Sequence, residues 1–299
     1  MNFSLAAALA AAENILGNGL ELSAIPGGDD SLAFRVRSGE GTFVLRINRS
    51  AAGFEKDAFA FRRFAGPQLP IPRVLQIGSA ADHFFCLSEA AVGRTLQDLS
   101  SAELPPLLQP TADVLQAIAE AKLGDDMAGY GPFHAIGSAP FQTWHEFLND
   151  IANAAHYDWT LVRRVFDVKN ETGDLLDRLL SLADDCPETR ALVHGDFGSN
   201  NVLTDGEKIT AVIDWSEAMF GDPLYDVANI FFWKNWLPCM EEQASYFESR
   251  PNMRKDFGDR LLCYQLRIGL AEVYQNVVEG KLPMARWALS RCRQISSSA

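Results

Sequence analysis

The 299-residue chain lacks the features that mark secreted, membrane-spanning or disulfide-bonded proteins. No Lys or Arg precedes Arg35, and Glu13 interrupts the alanine-rich opening, so the basic region of a signal peptide is missing. No apolar run approaches the length that spans a bilayer. The five cysteines are widely spaced and form no C-x-x-C pair, which favours reduced thiols. We therefore expect a cytoplasmic protein that does not act at a membrane.

Positive charge is also scarce. The chain has 26 Lys and Arg against 39 Asp and Glu, a net charge of −13 at pH 7. This balance argues against nucleic acid as a partner, because its phosphates would be repelled. Residues 1–93 hold 8 basic and 9 acidic side chains, whereas residues 94–299 hold 18 and 30. A negative field over the second part would attract a cationic ligand, although acidic surfaces also serve solubility alone.

A specific chemistry is indicated by residues 192–214, which read LVHGDFGSNNVLTDGEKITAVID. Phosphoryl transfer to a hydroxyl requires a carboxylate that orients the hydroxyl and accepts its proton, and oxygen ligands for Mg²⁺. Asp196 fits the first role, and Asn201 and Asp214 fit the second. An Asp-Gly dipeptide between these two ligands predicts a hairpin that returns them to one end. Each residue alone is also explained as a turn former, but the joint pattern favours catalysis.

The same stretch resembles the aminoglycoside phosphotransferase family, in which H-G-D-x-x-x-x-N is followed by I-D-W. The first motif runs from His194 to Asn201 and the second from Ile213 to Trp215. We expect the histidine to hydrogen-bond loop backbone rather than act as an acid or base. The resemblance covers nearly the whole chain. Its segments are HGDFGSNNVLTD, ITAVIDWSEAMFGD, VANIFFW, LPIP, TLQDL and LRIGL.

The resemblance implies a kinase that uses Mg²⁺ and ATP or GTP to phosphorylate a cationic aminoglycoside. The leading acceptor is the 4-hydroxyl of hygromycin B, and the consequence is antibiotic resistance. Two alternatives stay open. One is a kinase for another amino sugar or a choline-like amine, because substrate choice depends on pocket details. The other is a nucleotide-binding pseudokinase scaffold, although the base and both metal ligands are present. We expect a monomer.

The order of predicted elements indicates an α+β, protein-kinase-like fold of two lobes. A small antiparallel-sheet lobe at 1–92 would bind nucleotide, with a hinge near 88–93, and a larger, mainly helical lobe at 93–299 would bind the acceptor. The segment 124–140 is predicted to be a loop. Strands are predicted near 19–25, 32–38, 42–48, 73–78 and 83–89. Helices are predicted near 3–17, 54–65, 108–122, 141–153, 159–167, 170–184, 223–234, 238–249, 257–279 and 283–294.

Candidate phosphate contacts lie in the first lobe. The two adjacent glycines in residues 25–31 would let this loop approach the phosphates, and Gly28 and Ser31 are its candidate contacts. The alternative is an ordinary hairpin. Arg46 stands where kinases carry a phosphate-binding lysine, and it can grip phosphate through two parallel hydrogen bonds. Its expected partner is Asp57, with Glu55 second. The alternative is a surface arginine on a strand edge.

Further nucleotide contacts are implied between the lobes and in the catalytic loop. The backbone of Glu89 and Ala91 would hydrogen-bond the purine. Protein kinases place a phosphate-contacting lysine two residues after the catalytic base, but this chain has Gly198 there. Ser199 would then contact the γ-phosphate. The missing lysine argues against a protein kinase.

Candidate acceptor contacts follow the catalytic aspartate. A carboxylate pairs with ammonium groups and a tryptophan face stacks on a sugar ring. The alternative for the tryptophans is that they fill the core of a buried helix. The nearby Asp222 and Asp226 are expected to anchor a helix start and a loop instead. The candidates are Asp196 itself, Asn200, Glu217, Trp233, Trp236 and Glu241.

Overall fold

The computed structural model describes residues 5–25, 32–80, 82–166, 170–250 and 253–298. The strands are β1 (Glu21–Ile25), β2 (Leu32–Ser38), β3 (Gly41–Asn48), β4 (Val74–Ala80), β5 (His83–Glu89), β6 (Arg94–Thr95), β7 (Gly131–Pro132), β8 (Ala191–Val193), β9 (Val202–Thr204), β10 (Ile209–Val212) and β11 (Met219–Gly221). The helices are α1 (Leu5–Leu16), α2 (Ala52–Phe64), α3 (Leu108–Ala119), α4 (Trp144–Asn149), α5 (Trp159–Val165), α6 (Glu171–Ala183), α7 (Leu224–Trp233), α8 (Pro238–Glu248), α9 (Met253–Val278) and α10 (Leu282–Ser298). Single 3-10 turns lie at Leu96–Asp98, Pro105–Leu107 and Asp150–Ala152.

The first lobe is an antiparallel sheet with strand order β1-β2-β3-β5-β4. Side chains alternate between the two faces of a strand, and on β3 this places Phe43, Leu45 and Ile47 in the buried cluster. Arg46 therefore points to the opposite face. The same alternation fixes the register of β3 between β2 and β5, because a slip of one residue would bury the arginine side.

Helix α2 follows β3 in the chain, but its apolar side packs on the second lobe. Phe59 and Phe64 belong to the large hydrophobic cluster of that lobe rather than to the cluster under the sheet. The ring of Phe59 lies 5.4 Å from the ring of Phe133, centroid to centroid. The helix therefore joins the two lobes, and the lobe boundary drawn near residue 92 stays a prediction.

Helix α9 is the central element of the second lobe. Its residues 261–270 are all buried, between α6, α7 and α10. A helix buried on every side is expected to be apolar all round, so its polar members need partners. The hydroxyl of Tyr264 accepts a hydrogen bond from Trp144 Nε1 at 3.0 Å and donates to Asp222 at 2.7 Å. The network connects α4, α9 and the start of α7, where Asp222 was expected to anchor the chain.

The fold class is confirmed. The predicted helices and long strands match the observed ones apart from shifts of up to four residues at their ends. The helix predicted near 141–153 is the six-residue α4 followed by a 3-10 turn. The strands β6, β7, β8 and β11 were not predicted, because two or three residues are too few to show a period. Within the described ranges, no helix combines the length and apolarity needed to cross a membrane.

Candidate active site

The catalytic loop connects β8 to β9, and the side chain of Asp226 binds its backbone. The backbone N–H groups of His194 and Gly195 donate to the two carboxylate oxygens of Asp226, each at 2.8 Å. The aspartate lies in the first turn of α7 and is buried, and this burial raises its pKa to about 7. Asp226 thus anchors the loop, as the sequence suggested.

His194 is a structural residue in this arrangement. Its Nε2 lies 3.0 Å from the carbonyl oxygen of Ile213, and its Nδ1 accepts the N–H of Asp196 at 3.3 Å. Complete burial lowers its pKa to about 4, so the ring is neutral at pH 7, with the proton on Nε2. The imidazole therefore ties the catalytic loop to the strand end that precedes Asp214.

Asp196 and Asn201 are directly hydrogen-bonded. Asn201 Nδ2 donates to Asp196 Oδ2 at 2.8 Å and to its backbone oxygen at 2.9 Å, which leaves the amide oxygen of Asn201 for another partner. The carboxylate of Asp196 borders an open cavity, but protein surrounds it on its other sides. The side chain is exposed to the cavity, but desolvation by the surrounding protein, followed by the charges of Asp214 and Glu217, raises the pKa of Asp196 to about 7.

Asp214 has a backbone conformation that non-glycine residues seldom adopt. Its φ is 60°, in the left-handed region, and such strain is concentrated at functional sites. One carboxylate oxygen accepts the Ser216 hydroxyl at 2.7 Å, and the side chain is exposed. Protein sites for Mg²⁺ often supply one or two carboxylates and leave other positions to phosphates. Asp214 and Asn201 fit that donor set, and the described ranges contain no group of three His, Cys, Asp or Glu that would form a complete cage.

Arg46 forms an ion pair with Asp57 of α2, the partner expected from the sequence, whereas Glu55 is exposed. Burial lowers the pKa of Arg46, but the charge and hydrogen bond of Asp57, with smaller contributions from Cys86 and Asp214, together more than offset this and keep the pKa above its usual value. The other oxygen of Asp57 accepts the N–H of Trp215 at 2.8 Å. The arginine of β3 is thereby connected to the residue that follows Asp214.

The connector after β5 is fixed on the catalytic hairpin. The hydroxyl of Thr210 donates to the carbonyl of Val92 at 2.5 Å. A Cβ on Gly93 would lie 2.0 Å from the carbonyl oxygen of Thr204, so this close approach needs glycine. Glu89 ends β5, and the Ala91 N–H has no acceptor within the described chain. Gly28 and Ser31 lie outside the described residues.

Asp196 lines a cavity of about 1040 Å³. Five other predicted residues line it: Ser199, Asn200, Glu217, Trp233 and Trp236. Glu241 does not line the cavity; its side chain is exposed on α8.

The cavity walls include residues that sequence reasoning missed. Asp150 and Tyr157 come from the segment between α4 and α5, and Arg267 and Glu272 come from α9. Burial raises the pKa of Glu272, and the negative charge of Glu217 raises it further. Arg267 is the buried cation of this wall. Its Nη2 donates to Tyr157 Oη at 3.2 Å, and its guanidinium lies 4.6 Å from the ring centroid of Phe147.

Two tryptophans that line the cavity pack against a third. Trp233 stacks on Trp287 of α10, with ring centroids 5.0 Å apart and planes 10° apart. Trp236 meets Trp287 edge-on at 4.9 Å and keeps 45% of its surface exposed. Both predicted tryptophans border the cavity, while the supporting Trp287, more than 50 residues away in the chain, gave no signal in the sequence.

Comparison with known proteins identifies the family. A model of the phosphotransferase enzyme family, abbreviated APH, matches residues 21–260. The chain belongs to this family. Hygromycin-B 4-O-kinase of Escherichia coli is 48% identical over 282 residues, which cover 93% of this chain and 81% of that protein.

Solved structures of APH family members agree with this assignment. The crystal structure of aminoglycoside phosphotransferase APH(4)-Ia superposes with a TM-score of 0.93 at 44% identity and covers 99% of both chains. A thermostable mutant of the same protein, in a ternary complex with ADP and hygromycin B, gives a TM-score of 0.92 at 47% identity, with 97% of this chain and 98% of that chain covered. The matched region includes the β8–β9 loop, Asp226 and the cavity, so the candidate site lies within the part of the chain that these structures cover.

Proposed function

We propose that this protein transfers the γ-phosphoryl group of a nucleoside triphosphate to the 4-hydroxyl of hygromycin B and so confers resistance to that antibiotic. The observation that carries the proposal is Asp196, which borders a large acidic cavity with Asn201 and Asp214 beside it. The acceptor is supported by the 48% identity with hygromycin-B 4-O-kinase across 93% of this chain.

In the proposed reaction, Asp196 orients the acceptor hydroxyl and receives its proton. The hydroxyl oxygen forms a bond to the γ-phosphorus, and the bond from that phosphorus to the β–γ bridging oxygen breaks, with its electron pair leaving on the nucleoside diphosphate. Asn201 holds one oxygen of Asp196 and thereby fixes the carboxylate plane. Catalysis of this kind consists mainly of positioning and charge stabilisation.

Magnesium is proposed as the metal, held by Asn201 and Asp214. When bound, it supplies a Lewis acid that neutralises charge on the phosphate oxygens. The Asn201 amide oxygen and the exposed Asp214 carboxylate are oxygen donors of the kind that Mg²⁺ prefers.

The nucleotide is proposed to bind between the sheet lobe and the catalytic loop. Arg46 and Ser199 would contact phosphates, and Asp57 would orient the arginine. The backbone of Glu89 and Ala91 would pair with the purine. Gly28 and Ser31 stay predictions for the same nucleotide site.

The aminoglycoside is proposed to bind in the cavity. Its ammonium groups would pair with Glu217 and also with Asp150 and Glu272, which the structure adds to the candidates. Asn200 would hydrogen-bond the sugar. The rings of Trp233 and Trp236 would stack on the sugars, supported from behind by Trp287. The sequence suggested Glu241 as well, but its position on α8 lends no support to that contact.

The proposal is tested by magnesium-dependent phosphate transfer from ATP and from GTP to hygromycin B, with kanamycin, gentamicin and choline as comparators. We expect transfer to hygromycin B, and we expect Asp196→Asn, which keeps the size of the side chain, to lose about 10²- to 10⁴-fold in turnover. Transfer only to another acceptor would show that hygromycin B is not the substrate. Near-normal turnover of Asp196→Asn would contradict the role of Asp196 as the base.

The enzyme is further proposed to act as a cytoplasmic monomer, in line with its composition. Light scattering of the purified protein tests the oligomeric state, and a mass of twice 32.9 kDa would contradict it.

A further inference from the structure

One face of α2 is directed at the segment that follows Asp214. Gly53, Lys56 and Asp57 are spaced i, i+3 and i+4, so they share this face of the helix. A Cβ on Gly53 would lie 3.4 Å from the Cβ of Ser216, so the helix backbone approaches the segment closely. Residues 214–218 therefore lie against a helix that comes from the other end of the chain.

Two adjacent side chains of α2 bind the backbone of this segment. Lys56 Nζ donates to the carbonyl oxygens of Ser216 at 2.5 Å and Ala218 at 2.8 Å. Asp57 accepts the N–H of Trp215 at 2.8 Å. Three backbone groups within four residues are thus fixed by two side chains about 160 residues away in the chain.

Lys56 is an unusual residue for such a position. It is 7% exposed, its ammonium lies 5.0 Å from the ring centroid of Phe133, and burial lowers its pKa to about 8. Burying an ammonium group is costly unless its hydrogen bonds are replaced. The two carbonyl contacts replace the hydration that the buried ammonium loses, so Lys56 and the backbone of residues 216–218 depend on each other.

The segment held by Lys56 carries groups for both substrates. Asp214 lies at its start, on the metal and phosphate side, and Glu217 lies near its end, in the wall of the acceptor cavity. Ser216, whose carbonyl is bound by Lys56, also donates its hydroxyl to the Asp214 carboxylate at 2.7 Å. Ser216 and Ala218 flank Glu217 on either side.

We propose that Lys56 is a positioning residue that fixes residues 214–218, so that Asp214 and Glu217 are oriented together for metal and acceptor binding. The assigned roles of Asp214 and Glu217 rest on the proposed function. A segment fixed in advance loses less conformational freedom when either ligand binds, so both affinities depend on the same contact.

The test compares Lys56→Met, which keeps the apolar stem, with Lys56→Arg, which keeps a cationic donor. Arg291→Met is the matched control. Arg291 is also a buried cation, 6% exposed, and it donates to two backbone carbonyls, those of Phe231 and Phe232, away from residues 214–218. Calorimetry measures hygromycin B binding to the nucleotide-free protein, and then the gain in affinity that Mg²⁺ gives to a non-hydrolysable ATP analogue.

We expect Lys56→Met to weaken hygromycin B binding and to reduce the Mg²⁺-dependent gain, each about tenfold, and Lys56→Arg to recover most of both. Arg291→Met should lower the melting temperature but keep the wild-type Mg²⁺-dependent gain. A folded Lys56→Met protein that keeps both wild-type values would overturn the proposal.

Hydrogen exchange covers the case in which Lys56→Met does not fold. In Lys56→Gln, which retains a shorter, neutral donor, the amides of residues 215–218 should exchange at least about tenfold faster than in the wild type, while those of α9 stay unchanged. Unchanged exchange at 215–218 would overturn the proposal. This measurement needs no substrate, so it separates failure of the positioning role from failure of hygromycin B phosphorylation.

Discussion

The buried imidazole of His194 makes the stability of the fold around the catalytic loop depend on pH. The pKa of His194 is about 4 in the folded protein, against about 6.5 in an unfolded chain, because the ring is fully buried. Between these values the unfolded state binds more protons than the folded state, so the contribution of His194 is complete above pH 6.5 and is lost as pH falls towards 4. The loss amounts to about 3 kcal/mol of unfolding free energy.

This effect is measured by urea unfolding of the wild type and of His194→Gln between pH 7 and pH 4. We expect the wild type to lose about 3 kcal/mol more than the variant over that interval. His145→Gln, at a histidine that pairs with Asp184 near the surface, is the control and should follow the wild type. Parallel curves for the wild type and His194→Gln would contradict the assigned protonation.

The proximity of the proposed base and metal ligands could be predicted because all three residues lie in one short stretch of sequence. Asp196, Asn201 and Asp214 lie within 19 residues, and a hairpin is enough to bring them together. Lys56 and Glu272 could not be found in this way. Lys56 binds carbonyls about 160 residues away in the chain. Glu272 lines the cavity only because the packing of α9 turns that face of the helix towards it.

At the scale of elements, the contact between the catalytic loop and the segment after β10 depends on Gly195. Its φ is +85°, and a Cβ there would lie 2.3 Å from the backbone oxygen of Glu217. Gly206, in the turn of the β9–β10 hairpin, has a φ of +101° with no atom within 4 Å of such a Cβ. Alanine variants at these two glycines therefore distinguish the free-energy cost of a positive φ from the additional cost of the close approach.

We expect Gly195→Ala to lower the unfolding free energy by roughly 2 to 4 kcal/mol and to remove most turnover, because the loop that carries Asp196 must shift. Gly206→Ala should cost about 1 to 2 kcal/mol and keep its turnover. Urea unfolding and steady-state kinetics of both variants measure these effects. Equal costs, or full activity in Gly195→Ala, would show that the close approach is unimportant.

Element prediction succeeded where a period or a turn signal was long enough to recognise. The Asp-Gly dipeptide at 205–206 predicted the β9–β10 hairpin, and the structure has it. The short strands β7, β8 and β11 pair with one another only because tertiary packing brings them together. The assignment of α2 to the sheet lobe followed from chain order, whereas Phe59, Phe61 and Phe64 of this helix pack on the other lobe.

At the scale of the whole molecule, the two parts of the chain differ in charge. Residues 1–93 have a net charge of −1 and residues 94–299 a net charge of −12, from the basic and acidic side chains in the sequence. The cavity walls add to this field, because Asp150, Glu217 and Glu272 line them. The excess of acidic residues, which in the sequence indicated only a cationic ligand, is thus partly concentrated at the cavity.

This field predicts a salt dependence that differs between the two substrates. Electrostatic steering raises the encounter rate of a cation with an acidic cleft by about 10- to 10³-fold at low ionic strength, and the screening length falls to about 3 Å at 1 M salt. We therefore expect kcat/KM for hygromycin B to fall roughly tenfold between 20 mM and 500 mM NaCl. The same parameter for the anionic nucleotide should stay level or rise, because screening relieves repulsion.

The source of the field is tested with Glu217→Gln combined with Glu272→Gln, which removes two carboxylates from the cavity wall without changing their size. The variant should bind hygromycin B more weakly at low salt and show a flatter dependence of kcat/KM on salt than the wild type. If steering came from the acidic surface as a whole, the slope would match that of the wild type. If both substrates responded to salt in the same direction, general effects of salt on the enzyme would account for the data, and the cavity would have no special electrostatic role.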